Sequence, residues 1–581
     1  MKHTGGRTVS SQSSPNVDRE RQLILDAKSK GKGATLGAYA RLSGPGWLQS
    51  AITLGGGSLA SSLYLGVLGG FALLWLQPIA MIMGIIMLSA ISYVALSTGE
   101  GPFQAINKHV NPVLGWGWAI ATLMANLVWS LPQFSLGTAA IRQNLLPNVF
   151  GPNANIDGNT ANMIVGLSIL AICITVAWFY NSGGVGVKVF NILLKLMVGV
   201  IILCFFGVVV RMSFEGGLLD WGKIFGGFVP DLSLLMSPAK TFDPLISEVG
   251  PDFQKFWTDT IISQQRDVMI SAAATAVGIN MTFLLPYSML NRGWDKDFRG
   301  LAIFDLSTGL FVPFLLATSC VVIASASQFH TKSAIEFAIE STDEAEVAAP
   351  PKNIAAGFEK LALARVKTEV GAEAFDELTD EQKAEKVKAL PIADKRMAAV
   401  LVKRDAFNLA NSLGPLTGDA FAHYVFGIGV VGMAISSIII LMLINGFVVC
   451  EMLGLPSKGL PYRIGMLMPG IGILGPFIWT GGKAQFWLAV PTSMFGAVLL
   501  PIAYFTFYML MNEKKVLGDA MPKGGRRVFW NVLMAIAAGF ATLGCIWSLW
   551  SKLQWTGIGV AAGFLVLALV VQFTRKKGET A

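Results

Sequence analysis

The sequence predicts an all-α integral membrane protein, on three observations. Of its 581 residues, 53% are hydrophobic and only 14% are charged, against roughly a quarter charged in an ordinary soluble domain. Mean hydropathy is +0.58. Apolar runs long enough to cross a bilayer as helices, about 20 residues each, recur along nearly the whole chain. Lipid offers no partner to a free backbone amide, so a spanning segment must be a helix or part of a closed barrel. These runs are too long for barrel strands, which leaves helices.

Twelve spans are predicted, near residues 44–70, 71–97, 112–136, 162–180, 183–210, 268–290, 300–326, 418–446, 460–480, 484–511, 527–550 and 554–573. Only a few residues around Lys552 separate the last two, so eleven helices ending in one long kinked element is the other count. Residues 1–43 are polar, and their Ser/Gly-rich start reads as a disordered cytoplasmic tail without a cleavable signal peptide. Seven spans follow in 44–326, the first five of them in 44–210. A charged, alanine-rich insert at 327–417 reads as short amphipathic helices after a Pro350-Pro351 break. The remaining spans occupy 418–573, and 574–581 form a short tail.

The net charge of +8 is placed as a topology signal rather than as a nucleic-acid surface. With the N-terminus inside, the cytoplasmic side receives Lys108, Arg292-Lys296-Arg299, Lys458-Arg463, Lys514 to Arg527 and Arg575-Lys576-Lys577. The opposite side receives the acidic segment 211–267, with Asp220, Asp231, Asp243, Glu248, Asp252 and Asp259, and also the insert. Both termini are then cytoplasmic, and the protein is expected to be multi-pass in the cell membrane. The five cysteines, Cys173, Cys204, Cys320, Cys450 and Cys545, all fall in apolar runs without metal-ligand spacing. They read as small buried residues.

Two spans carry signs of a break. Gly55-Gly56-Gly57-Ser58 interrupts the first at about half its length, and each glycine costs a helix roughly 1 kcal/mol against alanine. Unwound backbone at that depth persists only where it faces protein or a wet cavity. The alternative is a glycine face for close helix packing. In the sixth span, Gly278 to Pro286 brings Asn280 and Thr282 to mid-membrane, and Pro286 lacks a helical amide. Interruptions at matching places in two halves point to an inverted-repeat transporter with its site between them. Spans 1–5 and 6–10 are then the repeats. An intramembrane enzyme would need an aspartate pair, a His-Glu-x-x-His helix or a serine dyad at depth, and none is placed.

Other polar groups within spans are Lys188, Lys195, Asp305, and Asp419 with His423. Lys188 and Asp305 lie near helix ends, where snorkelling explains them. Lys195 sits deeper and is the candidate intramembrane charge. His109 and His330 read as loop residues.

The chain resembles the Nramp family of metal-ion transporters. Gly44-Pro45-Gly46-Trp47-Leu48 is similar to that family's entry to its first helix, and Leu73-Leu74-Trp75 and Thr98-Gly99 bracket the second span as they do there. Phe426-Gly427-Ile428-Gly429 with Ser436-Ser437 is similar to its eighth helix, and Leu500-Pro501 to its tenth. The likeness covers roughly residues 40–326 and 418–515. It implies the LeuT-type fold of two inverted five-helix repeats, plus one or two extra C-terminal helices.

It also marks where this chain departs. The family's metal is held by a first-helix Asp and Asn and a sixth-helix Met near a His. Those positions here are Gly55, Ser58, Thr282 and Leu284. The third-helix Asp and Glu that the family ties to proton movement correspond to Asn126 and Trp129. The expected substrate site is therefore Gly55, Gly56, Gly57 and Ser58 with Asn280 and Thr282, with no metal ligand assignable. Asn126 and Trp129 are altered coupling positions. The expected function is Nramp-like secondary transport of a divalent metal ion through an atypical site, without a cofactor or catalytic residue. Its partners are the bilayer and the transported ion. The alternative is a same-fold transporter of a neutral or anionic solute.

Overall fold

The computed structural model describes residues 15–151, 154–180, 184–214, 219–332, 352–404, 408–409, 418, 421–478 and 488–579. The main helices are α1 (Pro15–Ser29), α2 (Lys32–Leu42), α3 (Pro45–Thr53), α4 (Gly56–Gly69), α5 (Leu76–Thr98), α6 (Pro112–Ala140) and α7 (Gly158–Tyr180). They continue with α8 (Gly184–Phe214), α9 (Pro251–Ala276), α10 (Ile279–Asn291), α11 (Arg299–Asp305), α12 (Phe311–Phe329), α13 (Lys352–Val370), α14 (Asp380–Ala389) and α15 (Ile392–Leu401). The last are α16 (Phe426–Met452), α17 (Gly459–Leu467), α18 (Ala489–Asn512) and α19 (Gly524–Glu579). Short helical turns connect them.

Ten helical runs among the described residues are long and apolar enough to cross a membrane. The difference from twelve arises at two places. The predicted ninth span is not one helix: α17 gives way to a 3-10 stretch, Met468–Leu474, and then to the short helix Gly475–Ile478. Pro469 and Pro476 withhold amides there. Gly472 and Gly475 let this stretch press on α6, where a Cβ would fall 2.1–2.7 Å from Ser130, Leu131 and Ser135 atoms. The last run is 56 residues, about 80 Å at 1.5 Å per residue and far longer than a bilayer is thick. It is two helices joined at Gln554, whose φ of 48° and ψ of −133° turn the chain.

The fold is the LeuT type, with α3/α4 and α9/α10 as the two interrupted helices of the inverted repeats. α4 packs on α9, α3 packs on α10, and α6 and α16 cross between them. Both interruptions sit slightly before the expected stretches. The first is Leu54-Gly55, with Gly55 extended at φ −106° and ψ 179°, so Gly56, Gly57 and Ser58 already form the first turn of α4. The second is Val277-Gly278. Pro286 does not break α10, which continues through it.

From Pro15 the N-terminal segment, expected from its polarity to be disordered, forms α1 and α2, and residues 1–14 of that expected tail lie outside the described residues. α1 and α2 lie on the face where α10 ends. Arg21 bonds Asp18 at 2.7 Å and Asp295 at 2.9 Å, and Tyr39 packs on Phe304 at 5.7 Å. Side chains spaced for one helical face thus supply the docking that composition alone does not reveal. On the opposite face the insert folds as α13, α14 and α15. Met397, Val400 and Leu401 of α15 join the main apolar core. A buried pair of Arg365 and Asp394, 2.9 Å apart, is bonded by Trp257 Nε1 of α9 at 2.6 Å.

Candidate substrate site

α6 carries the side chains that bring both interruptions together. Asn126, Trp129 and Gln133 recur at intervals of three and four, so they share one helical face. Gln133 Oε1 accepts the free amide of Gly56 at 2.8 Å, at the N-terminus of α4. Trp129 packs its ring on Gly278 at the second interruption and donates its indole N–H to Thr492 O at 2.8 Å. Asn126 Oδ1 accepts from Asn280 Nδ2 at 3.1 Å, and Asn126 Nδ2 donates to Asn445 Oδ1 at 2.7 Å. In a membrane interior these bonds replace partners that lipid does not supply.

Between the interruptions lies a cavity of about 50 Å³. Gly55, Gly57 and Ser58 line it from α3/α4, Gly278, Asn280 and Met281 from α9/α10, and Trp129 and Gln133 from α6. Thr53, Thr275, Ser437, Thr492 and Ser493 complete its polar wall. Such a volume holds a few water molecules, which need about 10–15 Å³ each.

The hydroxyl hydrogens are largely committed to backbone carbonyls. Ser58 Oγ donates to Thr53 O, Ser493 Oγ to Ala489 O at 2.6 Å, and Thr492 Oγ1 to Leu488 O at 2.9 Å. Ser437 Oγ is 3.4 Å from Ile52 O at the end of α3, and Thr53 Oγ1 is 3.2 Å from Met281 Sδ. A hydroxyl that has given its hydrogen away presents only lone pairs. The polar side chains of the wall are formally neutral, and they stand among the apolar Ile52, Pro132, Ala274 and Leu441 and beside first-turn amides of α4 and α10 that have no partner within their helices. Among the described residues no cluster of three or more His, Cys, Asp or Glu could hold a metal ion, and no ionisable carboxylate, imidazole or ammonium lines the cavity.

Not every residue singled out in the sequence is on this surface. Gly56 faces away, toward Leu136 and Gln133. Thr282 is buried behind the wall, accepting from Trp118 Nε1 at 2.9 Å and donating to Ile279 O. Asn126 is reached only through Asn280. Lys195 is exposed on α8, near the carbonyl of Ser43 at 3.4 Å and over the Trp47 ring at 5.9 Å. Asp305, expected to snorkel, is instead buried and caps α3: it accepts from Ser43 Oγ, from Gly44 N at 3.1 Å and from Gly46 N. His330 is tied to Val67 O at 2.9 Å and Thr241 Oγ1 at 2.6 Å. Asp419 lies outside the described residues.

Gln133, Thr53, Thr275, Met281, Ser437, Thr492 and Ser493 were missed. Gln133 left a usable signal, a glutamine inside an apolar run seven residues after Asn126. The hydroxyl residues left none, since Ser and Thr occur in apolar helices wherever they can bond the preceding turn.

The profile of the Nramp family, described as natural resistance-associated macrophage protein-like, matches residues 46–350 and 394–551. The chain belongs to the Nramp family. No curated protein matches its sequence. Among solved structures, it is similar to the manganese transporter of Eremococcus coleocola in complex with an aromatic bis-isothiourea substituted compound. The TM-score is 0.59 at 13% identity, covering 92% of this chain and 93% of that one. A glutamate-to-glutamine mutant of the same transporter gives 0.54 at 12%, covering 92% and 94%. In this Nramp chain, two of the positions that the resemblance gives to metal ligands, Gly55 and Ser58, stand on the cavity. The third, Thr282, stands one residue beyond Met281, whose side chain does line it.

Proposed function

We propose that this protein is an Nramp-type secondary transporter that moves a divalent metal cation across the cell membrane, with both termini in the cytoplasm. The observation that carries the reading is the meeting of two interrupted helices at one small cavity whose polar side chains are all neutral. Family membership and the manganese transporters it resembles support the same class of substrate. Neutral oxygens compensate the loss of a full hydration shell poorly. The cation therefore binds with part of its water, which suits Mg²⁺ and other hard ions better than a fully stripped soft one. Among the described residues no cationic side chain lines the cavity, and Lys195 is exposed on α8.

The test is uptake into liposomes holding the purified protein, offered Mg²⁺, Mn²⁺, Ca²⁺ and small carboxylates in turn. Saturable uptake of at least one divalent ion is expected. Uptake of a carboxylate with no response to any cation sinks the reading. Asn280→Asp places a charge on the wall without adding bulk. It should lower the KM of the transported cation about tenfold, the scale of one charge-assisted contact. An unchanged KM would put the site elsewhere.

A further inference from the structure

Gln49 on α3 is wholly buried, at 0% exposure, and neither Nε2 nor Oε1 of its carboxamide has a hydrogen-bond partner among the described residues. The observation is the same whichever way the amide is turned, because both ends are free. A buried amide unengaged at both ends costs stability, and native interiors keep such groups few.

The position of Gln49 on α3 shows what it faces. Ile52 and Thr53 stand three and four residues further on, so the three share one side of the helix. Ile52 and Thr53 both line the cavity. Thr53 Oγ1 is 3.2 Å from Met281 Sδ of α10, and Ile52 O is 3.4 Å from Ser437 Oγ of α16. Gln49 therefore lies one turn, about 6 Å, from the cavity, on the side of α3 that packs on α10 and α16. Its direction from the cavity is toward α1 and α2, the cytoplasmic side in the reading above.

The chain climbs α3 to the cavity and descends α10 from it. Gln49, four residues before Thr53, is thus level with Leu285, four residues after Met281. At this depth α10 and α16 present Leu284, Leu285 and Ile444, all buried. Further in, Tyr287 Oη donates to Glu451 at the end of α16, 3.1 Å away. An ion moving from the cavity toward that mouth meets apolar side chains, which offer its water shell nothing, and one idle carboxamide. Amide oxygens are ligands of hard divalent ions, and Oε1 also accepts hydrogens from water that the ion carries. No group holds either end of the amide, so it turns to the ion without breaking a bond.

We propose that Gln49 is a second contact for the transported cation, one turn inward of the cavity, made as the ion leaves for the cytoplasmic face. This rests on the cation reading above. In this conformation α3 lies against α10 and α16 and encloses Gln49, so the contact forms when α3 moves aside, after binding at the cavity. Its loss slows passage and spares the first binding step.

The experiment is uptake into liposomes of Mg²⁺, Mn²⁺ or Ca²⁺, whichever the unaltered protein moves, with melting in detergent beside it. Gln49→Leu should lower the maximal rate about tenfold, the scale of one hydrogen bond to a charged group, and leave KM within about twofold. Its melting temperature should not fall, because an apolar side chain of similar size removes the cost of the unengaged amide. Gln49→Glu keeps an oxygen for the ion and should restore most of the rate, whereas Gln49→Lys sets a like charge on the path and should fall below the leucine variant. An unchanged rate in Gln49→Leu, or a loss of rate that tracks a lower melting temperature, overturns the proposal. Equal effects of Glu and Lys also overturn it, since a site that is only packed or only wetted does not distinguish the sign of charge. These outcomes leave the cation reading intact. No cation uptake by the unaltered protein overturns that reading, and the second contact with it.

Discussion

Gly55 is a glycine because of its neighbour rather than its backbone. Its φ of −106° and ψ of 179° are open to any residue, but a Cβ would fall 2.3 Å from Ser437 Oγ on α16. Gly56 meets Leu136 and Gly57 meets Thr275 in the same way, at 2.0 and 3.0 Å. The triplet was legible in the sequence as a break. It is also the packing face that stood as the alternative, since three different helices close on it. Gly55→Ala should therefore reduce stability by about 1–3 kcal/mol through overpacking and suppress uptake. Adding Ser437→Ala removes the clashing hydroxyl oxygen and leaves the Ile52 carbonyl oxygen at 3.0 Å and the residue-437 Cβ at 3.3 Å, so the double variant should regain part of both. Melting in detergent and uptake in liposomes read the two quantities. A double variant no better than Gly55→Ala would mean that the extended backbone at Gly55, not its contact, is what demands glycine.

The helices themselves followed from hydropathy, but the elements flanking the membrane did not show their partners. α13 to α15 were visible as amphipathic segments, whereas the residues that dock them are distant in sequence: Arg365 and Asp394 lie 29 positions apart, and Trp257 is 137 from Asp394. Arg365 and Asp394 side chains are 2% and 1% exposed. Breaking such a pair leaves a buried charge and costs about 3–5 kcal/mol. Arg365→Met should accordingly loosen the insert, seen as faster proteolysis within 352–404, while cation uptake continues if the insert is only a covering domain. The same corner has a pH-sensitive group. Burial pushes the Lys403 ammonium down to about 7, with Lys360 and Lys552 adding to the shift and Asp267 opposing it. Its native pKa lies below the ordinary lysine value of about 10.4, so between the two values the unfolded chain holds the extra proton. Stability then rises with pH over that interval and is flat below it. Melting temperature should climb from about pH 7 to pH 9, and Lys403→Met should remove that share of the climb. An identical climb in the variant would assign the effect to another group.

At the scale of the whole molecule, the two repeats were readable because glycine and asparagine interrupt apolar runs at matching places. What the cavity contains was readable only by subtraction. The sequence placed Asn126 and Trp129 where the family resemblance implies acids, and the structure gives both an occupation that needs no proton. Asn126 bonds Asn280 and Asn445, and Trp129 closes on Gly278 and on the α18 carbonyl of Thr492. Coupling ion movement to protons requires a group that binds a proton in one state and releases it in another, and a side chain able to do so near neutral pH must be perturbed or be histidine. No such group lines the cavity among the described residues. Cation uptake should therefore proceed without acidification of the liposome lumen, and its KM should stay flat from about pH 6 to pH 8, below the range in which an unperturbed hydroxyl or amide changes protonation. A pH-sensitive dye trapped inside the vesicles reads this directly, alongside the cation flux. Lumen acidification in fixed proportion to cation entry would locate a titrating residue elsewhere on the path, and Glu451 at the end of α16, which accepts from Tyr287 Oη at 3.1 Å, is the first to replace by glutamine.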